Sequence, residues 1–196
     1  MSEPGEPRFL GALRALGDGL TELGVPWMII GGVAVIARGV ARFTVDIDAV
    51  LWGPAVDLEQ ALGTLGRHEI TPRIDEAAGF ARQHQVLLLQ HAPSGVPLDL
   101  SLAWLPFEGE AIRAGQECDY AGVRIRVPRP DDLIVYKLVA ARPRDLDDAE
   151  TLLLLHGRTL DVPRIRRLVR AFAEALDDST RPEALERLLR RAGLAP

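Results

Sequence analysis

The spacing of apolar residues near the start of the chain predicts a helix followed by a short strand. Residues 9–23 carry apolar side chains at helical spacing and are expected to form the helix. The apolar run at 26–30 is too short for a helix and predicts a strand that leads into Gly31 and Gly32. Residues 33–38 predict a second, short helix. The glycine pair therefore falls at a turn between a strand and a helix.

Alternation of polar and apolar residues marks two strands that carry carboxylates. Residues 45–52 place Asp46 and Asp48 on one face and apolar side chains on the other. Residues 96–102 alternate in the same way, so that Asp99 lies on the face opposite three leucines. If these two strands are neighbours in a sheet, the three carboxylates meet on one face.

The rest of the chain separates into a mixed region and a helical region. Residues 86–90 predict a strand that pairs with 96–102 as a hairpin, whereas 68–85 fit neither a helix nor a strand clearly. Beyond Pro130 the periodicity is helical throughout, with predicted helices at 131–141, 145–156, 162–176 and 182–192. We therefore predict an α+β fold. Its mixed sheet and flanking helices would occupy residues 1–128, and a helical lobe packed on them would occupy residues 129–196.

Composition narrows the classes of function. The chain has 196 residues and a formal net charge of −5, so it is not expected to bind polyanions over its whole surface. It contains one cysteine, Cys118, which cannot form a disulfide within the chain. No apolar run is long enough to cross a bilayer, and the first residues lack the apolar core of a signal peptide. These features predict a cytoplasmic protein without membrane contact.

The glycine pair and the carboxylates together suggest phosphate and metal chemistry. Glycines at a strand-to-helix turn let backbone N–H groups approach a phosphate closely, and a helix N-terminus adds partial positive charge. Carboxylate oxygens such as those of Asp46 and Asp48 suit Mg²⁺ bound to a nucleoside triphosphate. The alternatives are a tight turn at Gly31 and Gly32 and a solvated strand face at the two aspartates. Asp99 would complete the metal site or lie on an ordinary half-exposed strand.

Lys137 is the only lysine among 23 basic residues. It lies on an apolar helical stripe, so its ammonium is predicted either to snorkel past the core or to point into a cleft and hold a phosphate. Asp145 and Asp148 follow it, and we predict that Asp145 caps the next helix with Asp148 in the first turn. Arg42 and Thr44 lie between the glycine pair and the aspartates, either near the site or on a surface loop.

The order of these motifs resembles a known family. A glycine pair opening a helix, Asp-x-Asp on the next strand and a third aspartate on a later strand resemble the nucleotidyltransferase fold of the DNA polymerase β superfamily. The later segment 130–148, with Lys137, extends the resemblance. Within that superfamily the chain looks most like small bacterial nucleotidyltransferases that include the AbiEii-type abortive-infection toxins. The familiar Gly-Ser version of the pair supplies a hydroxyl that Gly31-Gly32 lacks.

The resemblance implies an activity and a set of roles. It implies transfer of a nucleoside monophosphate from a triphosphate to an acceptor hydroxyl, with two Mg²⁺ ions. The acceptor stays open among tRNA, a protein and a small molecule, and a companion antitoxin protein is an expected partner. The metal ligands and catalytic residues would be Asp46, Asp48 and Asp99. The nucleotide-binding residues would be Gly31, Gly32, Arg42, Thr44 and Lys137.

Two other classes of function remain open at this point. The same fold would serve as a module that binds nucleotide without turnover, consistent with the missing serine hydroxyl. Alternatively, the C-terminal helices would bind RNA or a protein partner through their arginines, although neighbouring acids make a solvated surface the simpler interpretation. These arginines are Arg164, Arg166, Arg167, Arg170, Arg181, Arg187, Arg190 and Arg191.

Overall fold

The protein divides into two compact units. Its structure is a computed structural model that describes residues 8–194. The first unit contains the chain up to Ala37 together with Arg42–Val127. The second contains Arg38–Ala41 together with the chain from Pro128 onward. The short segment Arg38–Ala41 therefore groups with the C-terminal half of the sequence, although it lies between two elements of the first unit.

A mixed sheet is the centre of the first unit. Within the described residues its strands are β1 (Trp27–Ile29), β2 (Ile47–Trp52), β3 (Ile70–Pro72), β4 (Val86–His91) and β5 (Val96–Ala103). The strand order is β1-β2-β5-β4-β3. Among these described strands only the β2–β5 pair is parallel, and the other pairs are antiparallel. The predicted hairpin is confirmed as β4–β5.

Helices and a small hairpin complete the first unit. The helices described there are α1 (Arg8–Leu23), α2 (Gly31–Ala37), α3 (Leu58–Arg67), α4 (Ala77–His84) and α5 (Pro106–Ala114). The antiparallel hairpin consists of β6 (Gln116–Tyr120) and β7 (Val123–Val127). Asp57 caps α3, because its carboxylate accepts a hydrogen bond from the Gln60 backbone N–H at 3.0 Å. Sheet and helices together confirm the α+β prediction.

One face of the sheet forms the core. Residues on β2 and β5 that point to this face are paired in register and fully or nearly fully buried. They are Ile47, Ala49 and Leu51 on β2 and Leu98, Leu100 and Leu102 on β5. Because side chains alternate between faces, the polar residues between them are directed to the opposite, partly open face. The apolar pattern thus determines which face carries the carboxylates.

Several predicted boundaries were wrong. Strand β2 begins at Ile47 and not at residue 45, so Asp46 precedes the strand and Val45 is 61% exposed. Helix α2 begins at Gly31 itself, two residues earlier than predicted. The uncertain segment 68–85 contains the short strand β3 and helix α4. A three-residue edge strand and an eight-residue helix are too short for periodicity to separate them from loop.

From Pro130 onward the described part of the second unit is mainly helical. Its helices are α6 (Pro130–Ala140), α7 (Pro143–His156), α8 (Val162–Ala175) and α9 (Thr180–Arg191). Asp132 on α6 is fully buried and is held by two arginines, Arg129 at 3.0 Å and Arg164 of α8 at 2.6 Å. Because a buried carboxylate needs such partners, this pair of contacts fixes α6 relative to the start of α8. None of the helices in residues 8–194 is long and apolar enough to span a bilayer.

Leu100 provides a test of the core. It is fully buried on β5, so Leu100→Ala is expected to lower the free energy of unfolding by about 2–5 kcal/mol through lost burial and a cavity. Leu154→Ala is the matched control, because Leu154 is 59% exposed and its loss should change stability by no more than about 0.5 kcal/mol. Urea unfolding followed by circular dichroism measures both. Equal effects of the two substitutions would contradict the assigned core.

Candidate functional site

The glycine pair lies where β1 passes into α2, and close neighbours explain both glycines. Gly31 has φ +59°, and a Cβ atom there would lie 1.8 Å from Oδ2 of Asp48. A Cβ atom on Gly32 would lie 2.6 Å from Oγ1 of Thr44. Any larger residue would therefore displace a carboxylate or a hydroxyl. The glycines make room for Asp48 and Thr44, a reason that the sequence interpretation did not include.

Asp48 and Asp99 are neighbours across the parallel strand pair. Their Cα atoms are partners in the β2–β5 register, so both side chains are directed to the face opposite the buried leucines. The Asp48 carbonyl also accepts a hydrogen bond from the Ile30 backbone N–H at 2.9 Å, which joins this strand to the residue before the glycine pair. The predicted convergence of these two carboxylates beside the turn is what the structure shows.

A hydrogen bond from Thr44 connects Asp46 to the glycine pair. It is exposed and precedes β2, and its Oδ1 accepts a hydrogen bond from the Thr44 hydroxyl at 2.7 Å. Thr44 is only 9% exposed and lies against Gly32. Arg42 is close to the same glycine, because a Cβ atom on Gly32 would lie 3.1 Å from its Nη2. Thr44, Arg42 and the glycine pair therefore belong to one cluster, which favours the site interpretation over a detached surface loop.

Arg73 is a candidate site residue that the sequence reasoning did not predict. It follows β3, and its Nη2 donates a hydrogen bond to Oδ1 of Asp99 in an ion pair. The side chains of Arg73 and Asp99 are 33% and 44% exposed. Arg73 lies in the segment whose secondary structure was uncertain, and one arginine among 22 carries no pattern. Only strand pairing could bring it to Asp99.

The carboxylates fit a divalent cation in chemistry but do not form a ready-made cluster. Hard oxygen donors from Asp46, Asp48 and Asp99 are the ligands that Mg²⁺ prefers. Nevertheless, no group of three acidic, histidine or cysteine side chains within residues 8–194 is arranged to hold a metal ion. Asp46 accepts a hydrogen bond from Thr44, and Asp99 accepts one from Arg73. Metal ligation by these residues stays a prediction.

An open cavity of about 810 Å³ adjoins the loop that carries Thr44. Apolar and aromatic side chains contribute to its wall, among them Phe9, Ile36, Phe43, Val45 and Tyr120. Phe43 and Val45 flank Thr44 and are 75% and 61% exposed. The volume lies in the range of small-molecule sites, which combine an apolar wall with a few polar groups.

Lys137 has buried carboxylates as its partners within the second unit. Its ammonium lies 2.9 Å from Oδ1 of Asp145 and 2.9 Å from Oδ2 of Asp148, and the residue is 5% exposed. Helix α6 thereby presents Lys137 to the first two turns of α7. The two carboxylates thereby already compensate the charge of the ammonium. The role of Lys137 as a phosphate ligand stays a prediction.

The capping role predicted for Asp145 was wrong. Helix α7 begins at Pro143, a residue suited to the first helical position, and Arg142 occupies the cap position. The Asp145 carboxylate instead accepts hydrogen bonds from Lys137 and from Arg142 at 2.6 Å. Burial alone would raise the pKa of Asp145, but the hydrogen bonds from Arg142 and Lys137 outweigh it and leave the pKa below 3.8.

Solved nucleotidyltransferases share the fold of this chain. The antibiotic-resistance factor ANT(2'')-Ia matches with a TM-score of 0.55 and 20% identity, over 84% of this chain and 91% of its own. Its complex with adenylyl-2''-tobramycin matches with a TM-score of 0.57 and 19% identity, over 84% of this chain and 95% of its own. The lincomycin-bound lincosamide antibiotic adenylyltransferase LnuA matches with a TM-score of 0.50 and 15% identity, over 76% of this chain and 96% of its own. The architecture is therefore that of a nucleotidyltransferase.

Sequence comparison identifies the family. The family model described as "Nucleotidyl transferase of unknown function (DUF2204)" matches residues 10–189, and the chain belongs to that family. No curated protein matches the sequence significantly. The nucleotidyltransferase part of the resemblance is thereby confirmed, whereas the closer likeness to AbiEii-type toxins stays a prediction.

Steric crowding at Gly31 predicts that a methyl group at this position destabilises the fold. Gly31→Ala is expected to lower the free energy of unfolding by more than about 1 kcal/mol, because φ is positive and Asp48 occupies the Cβ position. Gly63→Ala in α3 is the control: no atom lies within 4 Å of its added Cβ, and the change should stabilise by about 0.5–1 kcal/mol. Urea unfolding measures the pair, and a neutral Gly31→Ala would contradict the contact with Asp48.

The buried ion pairs of Asp145 predict a dependence of stability on pH. Asp145→Asn should lower the free energy of unfolding at pH 7 by about 3 kcal/mol. Because the pKa of folded Asp145 is depressed, its contribution is complete above the unfolded pKa of 3.8 and is lost as pH falls through the lower, folded value. The difference between the wild type and Asp145→Asn should therefore shrink below pH 3.8.

Urea unfolding from neutral to acid pH measures this difference, with Asp147→Asn as the control. Asp147 lies on the same helix but is exposed, so the control should stay close to the wild type at every pH. A difference between the wild type and Asp145→Asn that does not change with pH would contradict the assigned ion pairs.

Proposed function

We propose that this protein is a magnesium-dependent nucleotidyltransferase that moves a nucleoside monophosphate from a triphosphate to an acceptor hydroxyl. The observation that carries the proposal is the in-register placement of Asp48 and Asp99 beside the Gly31-Gly32 turn. Family membership and fold agree with this class of reaction. The toxin setting, with an antitoxin as partner, rests on the sequence resemblance alone.

The residues of this chain would have distinct roles in metal binding, triphosphate binding and proton transfer. Asp46, Asp48 and Asp99 would hold Mg²⁺, which when bound activates the attacking hydroxyl and neutralises charge on the leaving pyrophosphate. Arg42 would orient the triphosphate, since its guanidinium matches the geometry of phosphate oxygens, and backbone N–H groups at the glycine pair would add to this contact. A carboxylate oxygen of Asp99 would accept the proton of the acceptor hydroxyl.

The acceptor that the observations favour is a small molecule. The cavity of about 810 Å³ beside Thr44 matches such a ligand in volume and in its partly apolar wall. The structural neighbours include an enzyme with bound adenylyl-2''-tobramycin and one with bound lincomycin. Transfer to tRNA remains the second candidate, on the strength of the resemblance to small bacterial toxins.

Transfer of label tests the proposal. The full chain is incubated with Mg²⁺ and each α-labelled nucleoside triphosphate, once with total RNA and once with hydroxyl-bearing antibiotics such as tobramycin and lincomycin. We expect labelled product with one acceptor class. Asp48→Asn preserves side-chain volume against Gly31 and should reduce transfer at least about 100-fold, because a required carboxylate is lost.

Asp18→Asn is the matched control, an exposed aspartate on α1 outside the site, and it should transfer label at the wild-type rate. Unfolding midpoints show whether each variant is folded. Equal transfer by the wild type and Asp48→Asn would contradict the assignment. Calorimetric binding of nucleotide with no transfer to any acceptor would instead support a non-catalytic binding module.

A further inference from the structure

The ion pair between Arg73 and Asp99 is built into the sheet. The backbone N–H of Arg73 donates to the Leu88 carbonyl at 2.9 Å, and Leu88 is the Cα partner of Asp99 in the β4–β5 pair. The backbone of Arg73 is therefore held one strand away from Asp99, and its guanidinium reaches across β4 to Oδ1 of the carboxylate. Strand register, and not a free loop, brings the two charges together.

Asp48 explains why a cation is useful at this position. The strands β2 and β5 place the Asp48 and Asp99 carboxylates side by side on one face, and like charges at paired positions repel each other. Arg73 supplies a positive charge at one of the two carboxylates. In the absence of a metal ion, the guanidinium thus takes over part of the charge compensation that a divalent cation would provide.

A guanidinium and a divalent cation compete for the negative charge of the same carboxylate. Mg²⁺ binds oxygen at about 2.0–2.1 Å, which leaves no space for an N–H donor along the same direction, and the two positive charges repel each other. Oδ1 of Asp99 accepts from Arg73. A cation bound through Asp99 therefore either displaces the guanidinium from Oδ1 or binds at another lone pair of the carboxylate against the repulsion of the guanidinium charge.

We propose that Arg73 is a positioning residue that neutralises Asp99 in the metal-free protein and competes with the divalent cation for it. This inference rests on the proposed function, because it takes Asp99 to be a metal ligand. Arg73 keeps the paired carboxylates compatible with the fold and sets how readily the site accepts its metal. Its removal should make metal binding tighter, the opposite of what loss of a ligand would do.

Binding of Mn²⁺ by the full chain, followed by electron paramagnetic resonance of the free ion, tests the competition without a measurement of activity. Arg73→Gln should tighten Mn²⁺ binding about two- to fivefold, the range expected when a partly exposed ion pair no longer competes with the metal ion. Arg73→Lys keeps the charge and should bind Mn²⁺ with nearly wild-type affinity. Unfolding midpoints confirm that each variant is folded.

Arg82→Gln is the matched control. Arg82 lines the same surface cavity as Arg73, of about 690 Å³, but pairs with the exposed Glu59 at 3.5 Å. Arg82→Gln removes the same charge as Arg73→Gln but leaves the environment of Asp99 unchanged, so Mn²⁺ affinity should not change. A second test uses Asp99→Asn as background: because the competition acts through Asp99, Arg73→Gln should add no affinity there.

The outcomes separate this inference from the proposed function. Three results would each contradict the competition. The first is an equal increase in Mn²⁺ affinity for Arg73→Gln and Arg82→Gln, and the second is an increase that persists in the Asp99→Asn background. The third is weaker Mn²⁺ binding by Arg73→Gln. If the wild type binds Mn²⁺ and transfers label but Arg73→Gln binds identically, the inference fails and the proposed function stands. If no variant binds Mn²⁺ even with nucleoside triphosphate, both fail.

Discussion

The parallel pairing of β2 with β5 is the constraint on which the rest of the candidate site depends. This pairing sets Asp48 opposite Asp99, and among the strands of residues 8–194 it is the only parallel contact in the sheet. Burial drives it, because the same register stacks Ile47, Ala49 and Leu51 against leucines of β5. A shift of one residue would send the carboxylates into the core and the leucines to solvent. The energy that specifies the core therefore also specifies the site.

Close packing around the carboxylates follows from that register. Asp48 takes the space that a side chain on residue 31 would need, and Thr44 does the same at residue 32. Thr44 then donates to Asp46, so the glycine turn and the carboxylates form one connected cluster. Arg73 adds a cation from the far side of β4. The first unit thus concentrates negative charge on an open face while balancing part of it internally.

The second unit shows a different use of charge. Lys137 and Asp132 are both buried, and each is compensated by partners from a neighbouring helix or loop. Breaking such a pair leaves an uncompensated charge in a low-dielectric region, which is why these contacts hold helices in fixed positions. A lone lysine on an apolar stripe predicts either an ammonium that snorkels past the core or a phosphate ligand. The carboxylates that pair with Lys137 belong to Asp145 and Asp148 on helix α7. The sequence predicted that Asp145 caps this helix.

The sequence by itself determined the class of fold, the hairpin, the glycine turn and the faces of the strands, because these follow from local periodicity and backbone preference. Alternation also predicted that Asp48 and Asp99 lie on the face opposite the buried apolar residues, and the strand register agrees with that prediction. Tertiary structure decided which strands are neighbours, and with that the partners of Asp99 and Lys137. Arg73 reaches Asp99 through two strand pairings, and no local pattern encodes a contact between residues whose proximity depends on the register of the whole sheet.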